Sequence, residues 1–414
     1  MDYRRFRFFI LVLCLGIVAL GGYYLISRSL GFSSGRTSFT EETKVLPEDT
    51  LQTDPLDPPD PWEAFARESD NAGKRAGEYS LLLSSVDHDI KMLILNDEGE
   101  LEKGHAFTAL LEGPEGDAEY GDFDRDGVIY ASELISGEYT VSLFDERTPV
   151  KKDGKYIARV PVSVREQISY QPLADITPEI YTEAEINAAA EDTAEQSEAE
   201  EEREEETEST AGGRPDLSGG SIGIDVSKYN KDIDWNTVKK AGIEFAIIRI
   251  GYRGSTSGVL VVDPYFRKNL EGAKAAGVKV GVYFFTQAVN VTEAVEEASA
   301  VTTLVSAADL ELPVFLDVEA AGGRADGLDV KSRTENINAF CRTLQNAGYS
   351  AGVYANKRWF ESYIDRESLE GWKIWLARYR SSSPGLECDC WQYTSRGTVD
   401  GIKGNVDLDV NYSL

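Results

Sequence analysis

From residue 222 to the C-terminus the chain alternates short apolar runs with amphipathic ones, and this alternation limits its fold more than any other feature. Strands are expected at "SIGIDVS", "FAIIRIGY", "KVGVYFFT", "PVFLDVE", "SAGVYAN", "KIWLARY", "CDCWQYT" and "NVDLDVNY". Between the first six lie helical candidates such as "WNTVKKAG", "YFRKNLEGAKAAG", "TEAVEEASAVTTLV" and "RTENINAFCRTLQNAG". Strands covered on both faces read as near-continuous apolar runs, so the pattern predicts a parallel sheet with helices outside. Several helices end in Ala-Gly, where glycine takes the left-handed cap. Eight strands over about 190 residues suit a compact closed barrel whose last helices are lost.

In such a barrel the C-terminal ends of the strands line the active-site mouth. Asp225 in "GIDVS", Asp317 and Glu319 in "FLDVE", and Asp407 in "NVDLD" fall at expected strand ends. Side chains alternate along a strand, which puts Asp317 and Glu319 on one face, roughly 7 Å apart. A lone acid could pair with an arginine such as Arg249 or Arg378, or cap a helix. Four acids ending three strands point instead to a solvated cleft, because unpaired burial costs several kcal/mol. Tyr283, Phe285, Tyr354, Trp375, Tyr379, Trp391 and Tyr393 lie near the same ends and could form stacking walls for a sugar chain, or simply pack the core.

The only histidines are His88 and His105, so Ser-His-Asp and Cys-His catalysis and His-containing zinc sites are excluded from the C-terminal half. That leaves two chemistries for clustered carboxylates: hard-cation binding, or acid/base cleavage of a glycoside. For the second, neighbouring negative charge favours keeping one carboxyl protonated, as the chemistry requires. Of the four cysteines, Cys14 lies in the N-terminal apolar segment. Cys341, Cys388 and Cys390 leave an odd count and imply no disulfide framework.

The stretches "GIDVSKYN", "FAIIRIGYR", "GVKVGVYFFTQA", "LPVFLDVEA", "GVYAN", "IWLARY" and "CWQYTSRGTVDGIKGNVDLDV" resemble glycoside hydrolase family 25, the Chalaropsis-type lysozymes, in the family's order. The resemblance covers roughly residues 222–414. It implies a (β/α)5β3 TIM-like barrel and hydrolysis of the β-1,4 bond between N-acetylmuramic acid and N-acetylglucosamine in peptidoglycan. By position it makes Glu319 the acid/base, and Asp317 the carboxylate that assists the substrate's 2-acetamido group or acts directly. Asp225 and Asp407 complete an acidic floor. The chain departs from the family at "DLDV", where the family often has "DLN", so Asp409 adds a charge.

Upstream, residues 1–7 carry Arg4, Arg5 and Arg7 and precede an uncharged apolar stretch within 8–27. That length nearly spans a ~30 Å hydrocarbon core, and the arginines predict a cytoplasmic N-terminus with the rest outside the cell membrane. A cleaved signal peptide is the competing reading. Residues 28–78 read as a stalk, and 79–170 as a small all-β sandwich built from short alternating runs. "NDEGELEKGHAFTALLEG" and "ELISGEYTVSL" loosely resemble the Cna-B or prealbumin-like modules of bacterial surface proteins. Residues 171–220 read as an acidic linker, and 221–414 as the catalytic barrel.

Within the β module, "DFDRDGVIYASE" matches a twelve-residue calcium-loop spacing through Asp122, Asp124, Asp126 and Glu133. The preceding "EGPEGDAEYG" cannot form an entering helix, so a hairpin turn is the alternative. A formal net charge of -30 argues against nucleic acid as partner. The expected protein is a membrane-anchored muramidase acting on peptidoglycan without a catalytic cofactor. The alternative is a catalytically silent surface protein that binds glycan for adhesion.

Overall fold

A computed structural model describes residues 38–39, 79–145, 150, 156–173, 176–187 and 215–413. The expected anchor at 8–27, nearly all of the stalk and the acidic tract after residue 187 lie outside them. Among the described residues no helix is long and apolar enough to cross a membrane. The chain divides into two compact units, one including residues 68–166 and the other residues 167–414.

The first unit holds β1 (Ser38–Phe39), β2 (Ser80–Ser84), β3 (Ile90–Leu95), β4 (Phe107–Gly113), β5 (Gly116–Gly121), β6 (Val128–Ala131), β7 (Gly137–Asp145) and β8 (Ala158–Val164). They form two sheets, ordered β1-β5-β4-β7-β8 and β2-β3-β6. Alternate residues of both sheets, among them Leu81, Met92 and Ile94 from one and Ala109, Leu111, Val141 and Leu143 from the other, meet in one apolar cluster. The strand period of two thus places one face of each sheet in a shared core.

The second unit is an α/β barrel. Its strands are β9 (Ile180–Thr182), β10 (Ser221–Val226), β11 (Phe245–Arg253), β12 (Leu260–Val262), β13 (Lys279–Phe285), β14 (Val314–Asp317), β15 (Ala351–Asn356), β16 (Lys373–Ala377), β17 (Cys390–Gly397) and β18 (Val406–Asn411). Eight of them close in the order β10-β11-β13-β14-β15-β16-β17-β18, with β18 returning to β10. A short helix α1 (Glu183–Asn187) follows β9. Then α2 (Trp235–Lys240), α3 (Phe266–Ala275), α4 (Val291–Leu304), α5 (Val330–Asn346) and α6 (Lys357–Ser362) connect successive barrel strands from β10 to β16. Helices α2, α4, α5 and α6 open on Asp234, Asn290, Asp329 and Asn356, whose side chains accept from backbone N–H groups of the first turn. Gly277 and Gly348, after α3 and α5, take positive φ as the Ala-Gly endings predict.

Two details differ from the sequence expectation. First, β18 runs antiparallel to both its neighbours, β17 and β10. Second, part of the segment expected to be linker belongs to the barrel unit. β9 adds to β12 in parallel, and Glu183 Oε1 accepts from Lys228 Nζ at 2.7 Å and from the Tyr252 hydroxyl at 3.2 Å. The strand signal in "EIYT" is short and sits beside an acidic run that dominates its composition.

The barrel interior is filled by Phe245, Ile247, Tyr283, Phe315, Tyr354, Trp375 and Cys390. Gly223 faces this filling: a Cβ there would lie 2.4 Å from the Phe245 ring. Gly223→Ala should therefore destabilise the protein by about 1–3 kcal/mol through overpacking. Thermal melts of the full chain check this; an unchanged Tm would mean that the Phe245 ring moves freely aside.

Candidate active site

Asp317 ends β14 and is 5% exposed; in register it lies between Phe285 of β13 and Tyr354 of β15. Glu319 follows two residues later, just past the strand end, and is half-buried. It lines a small cleft with Thr286, Val318, Arg333, Asn336 and Trp359. On another part of the wall, Asp225 of β10 stands opposite Asp407 of β18. All four acids thus stand toward one end of the barrel. Asp407 reaches it for a reason the sequence does not show: it lies near the start of β18, not its end, and β18 runs backwards.

Gln392 links these walls. Its Oε1 accepts from the Tyr354 hydroxyl at 2.9 Å and the Tyr379 hydroxyl at 2.6 Å, while its Nε2 donates to Asp225 Oδ2 at 2.8 Å. Two donors on Oε1 leave the amide only one orientation, so the Asp225 carboxylate is held by a fixed donor. Beneath it, Asp409 is 0% exposed and accepts from Trp375 Nε1 at 2.8 Å. Burial pushes the Asp409 carboxyl up to about 8, with the nearby Asp407 acting the same way, and the indole N–H of Trp375 and the neighbouring Asp225 carboxyl opposing.

The loop carrying Glu319 is tied down from several sides. Ala321 N–H donates to Asp326 Oδ1 at 3.1 Å, and Arg324 N–H to the Ser255 carbonyl at 3.0 Å. The Arg324 guanidinium makes two 2.8 Å bonds to Glu293 of α4. Arg333, stacked 4.8 Å over the Trp359 ring, donates to the carbonyls of Ala325 and Asp326. A long loop with this many anchors can hold a reacting group in place.

The aromatic residues are placed less simply. Trp375 and Trp391 are 1% and 0% exposed, so neither offers a face for stacking, contrary to the expectation of sugar-binding walls. Trp375 fills the barrel interior and Trp391 donates its indole N–H to the Arg378 carbonyl. Tyr283, Phe285 and Tyr354 are also buried, and Tyr354 is used to orient Gln392. Of the seven, Tyr379 and Tyr393 are half-buried rather than buried. Arg249 binds Asp263 at 2.8 Å and Arg378 binds the Ser383 carbonyl.

In the β module, Asp122, Asp124 and Asp126 bring carboxylate oxygens within 4.8 Å of one another, but Glu133 is not part of the group. The turn satisfies much of itself: Asp122 accepts from the N–H groups of Asp126 and Gly127, and Asp126 from that of Val128. Burial pushes Asp122 up to about 6, only partly offset by those N–H groups. The donor set of the twelve-residue calcium pattern is incomplete, because Glu133 supplies its last and bidentate ligand. Cys341, Cys388 and Cys390 are free thiols.

Residues 224–402 match the profile of glycosyl hydrolases family 25. An autolytic lysozyme of Clostridium acetobutylicum is 28% identical over 189 residues, 45% of this chain and 54% of the relative. Lysozyme M1 of Streptomyces globisporus is 29% identical over 206 residues, 47% of this chain and 68% of the relative. The match therefore spans about half to two thirds of these relatives' length. A solved family 25 glycosyl hydrolase from Bacillus anthracis is 25% identical, covering 49% of this chain and 94% of its own, with a TM-score of 0.42.

Proposed function

From the membership of residues 224–402 in glycosyl hydrolases family 25, we propose that this chain is a lysozyme, a 1,4-β-N-acetylmuramidase acting on peptidoglycan. The observation that carries the reading is the gathering of Asp225, Asp317, Glu319 and Asp407 toward one end of a barrel within the matched segment. The helices after each of the first five barrel strands, and the return through β16, β17 and β18, support a (β/α)5β3 arrangement.

Glu319 then protonates the glycosidic oxygen that leaves from C1 of N-acetylmuramic acid. The 2-acetamido oxygen of the same sugar attacks C1, and Asp317 orients its N–H and stabilises the charge that develops there. Water, deprotonated by Glu319, opens the cyclic intermediate and leaves a reducing muramic acid. No step calls on a cofactor. Asp225, held by Gln392, and Asp407 keep the floor of the site acidic.

The uncharged segment within 8–27, preceded by three arginines, supports a single-pass anchor with the catalytic domain outside the cell. The stalk and acidic tract then set how far the barrel reaches into the wall. Mass spectrometry of purified peptidoglycan after digestion tests the activity. Reducing-end muramic acid is the expected product; intact glycan, or reducing-end glucosamine, would reject it.

A further inference from the structure

The pairing of Asp409 with Asp225 goes beyond the four acids of the reaction and rests on the lysozyme reading only for its effect on rate. Asp409 lies on β18 in register with Gly223 of β10 and Gln392 of β17, one alternation deeper than Asp407. Its Oδ1 takes the Trp375 indole N–H. Among the described residues no donor reaches its Oδ2, although the side chain is fully buried. The Asp225 carboxyl, itself 6% exposed, lies within hydrogen-bonding reach, with Gln392 Nε2 on its Oδ2.

Two buried carboxylates in contact repel, and an orphaned buried oxygen is costly. One proton between them removes both penalties at once, as in other carboxyl dyads. We infer that Asp409 and Asp225 share a single proton, so that Asp409 acts as a positioning residue that sets the charge and orientation of Asp225 at the site floor. Asp407 on β18 adds negative charge, Trp375 on β16 is neutral, and on β17 Cys390 and Tyr393 are held in their neutral forms, by burial first and then by the carboxylates around them.

Asp409→Asn tests the pair, since asparagine keeps both hydrogen bonds, accepting from Trp375 and donating to Asp225, but cannot titrate. A carboxyl that holds its proton when folded but loses it when unfolded at about pH 4 weakens the fold as pH rises, until the folded group also ionises near pH 8. The Tm of the variant should therefore pull ahead of wild type progressively from pH 4 to 8 and stay ahead by a constant margin above that. Wall lysis by wild type should show a step near pH 8 that the variant lacks. A Tm difference that is the same at every pH overturns the inference. Infrared titration gives a second readout: a protonated-carboxyl band that persists above pH 7 in wild type and is missing from Asp409→Asn supports the pair, and identical bands in the two proteins overturn it. If neither protein lyses wall, the melts still decide the pairing and the failure falls on the lysozyme reading.

Discussion

Glu319→Gln should lower wall lysis by about 10²–10⁴-fold, the usual worth of a positioned proton donor, with Tm within about a degree of wild type. The substitution keeps size and shape at a half-buried residue beyond the end of β14, so it removes a proton and little else. The chemistry has few other donors to fall back on. Both histidines lie before residue 106. Asp317, the neighbouring acid, is 5% exposed and its backbone is fixed by the strand: its carbonyl accepts from Thr286 N–H, and the next residue's N–H donates to the Tyr354 carbonyl. It is suited to orienting a substrate group, whereas Glu319 has the longer side chain and the more open position. Zymography on wall-embedded gels, with melts alongside, separates loss of chemistry from loss of fold. Near-wild-type lysis would move the acid role off Glu319, and Asp317→Asn would then be the next variant to examine.

Much of this site can be read from residues alone because it is an exception to a strong pattern. Buried barrel strands are apolar, so acids at their ends stand out, and a spacing of two puts them on one side. What the sequence hides is direction. Hydrophobic periodicity has no sign, so it cannot tell that β18 runs antiparallel, and Asp407 is found at the mouth by a route the pattern did not foresee. Gln392 is equally silent: a neutral amide on a strand gives no warning that two tyrosines and Asp225 converge on it. Trp375 and Trp391 err the other way, since an aromatic near a strand end looks the same whether it faces sugar or core. The linker boundary slipped at β9 because composition averages over a window, and three residues of strand vanish beside an acidic tract. Least legible of all is "TEAVEEASA", where Glu293, Glu296 and Glu297 look like a solvated helix face. In the fold Glu296 and Glu297 are 6% and 0% exposed, because an arginine from β11 is buried with them.

That arginine is the basis of the largest expected effect on stability. Arg253 is 4% exposed, and its Nε donates to Glu297 Oε1 and its Nη2 to Glu296 Oε2, both at 2.9 Å. Nη1 reaches the Gly258 carbonyl at 2.7 Å and Nη2 the Glu293 carbonyl at 2.9 Å. Arg253→Met roughly preserves volume but leaves Glu297 with no opposite charge, and breaking one side of a buried pair costs about 3–5 kcal/mol. For a unit of this size that is a fall in Tm of roughly 6–20 °C. The deficit should depend on pH. Burial already pushes Glu297 up to about 7 from 4.5, against the opposing pull of Arg253. A carboxyl raised in the folded state destabilises as pH climbs from its unfolded value through its folded one. Without Arg253 the folded value rises further, so the loss should be smaller at pH 5, where Glu297 takes up a proton, than at pH 8. Arg253→Met/Glu297→Gln should recover part of it at pH 8, because the two sites share one interaction and their effects cannot add. Denaturant melts of the three proteins at both pH values decide the matter, and a loss under about 1 kcal/mol, or one equal at both pH values, would refute the account. The same helix holds Glu293, which grips Arg324 in the loop beyond Glu319, and the N–H of Ala325 rests on Gln287 next to Glu297. Arg253→Met should accordingly lose lysis several degrees below its own Tm, since the cluster that holds α4 to β11 is also what fixes the loop that carries the acid.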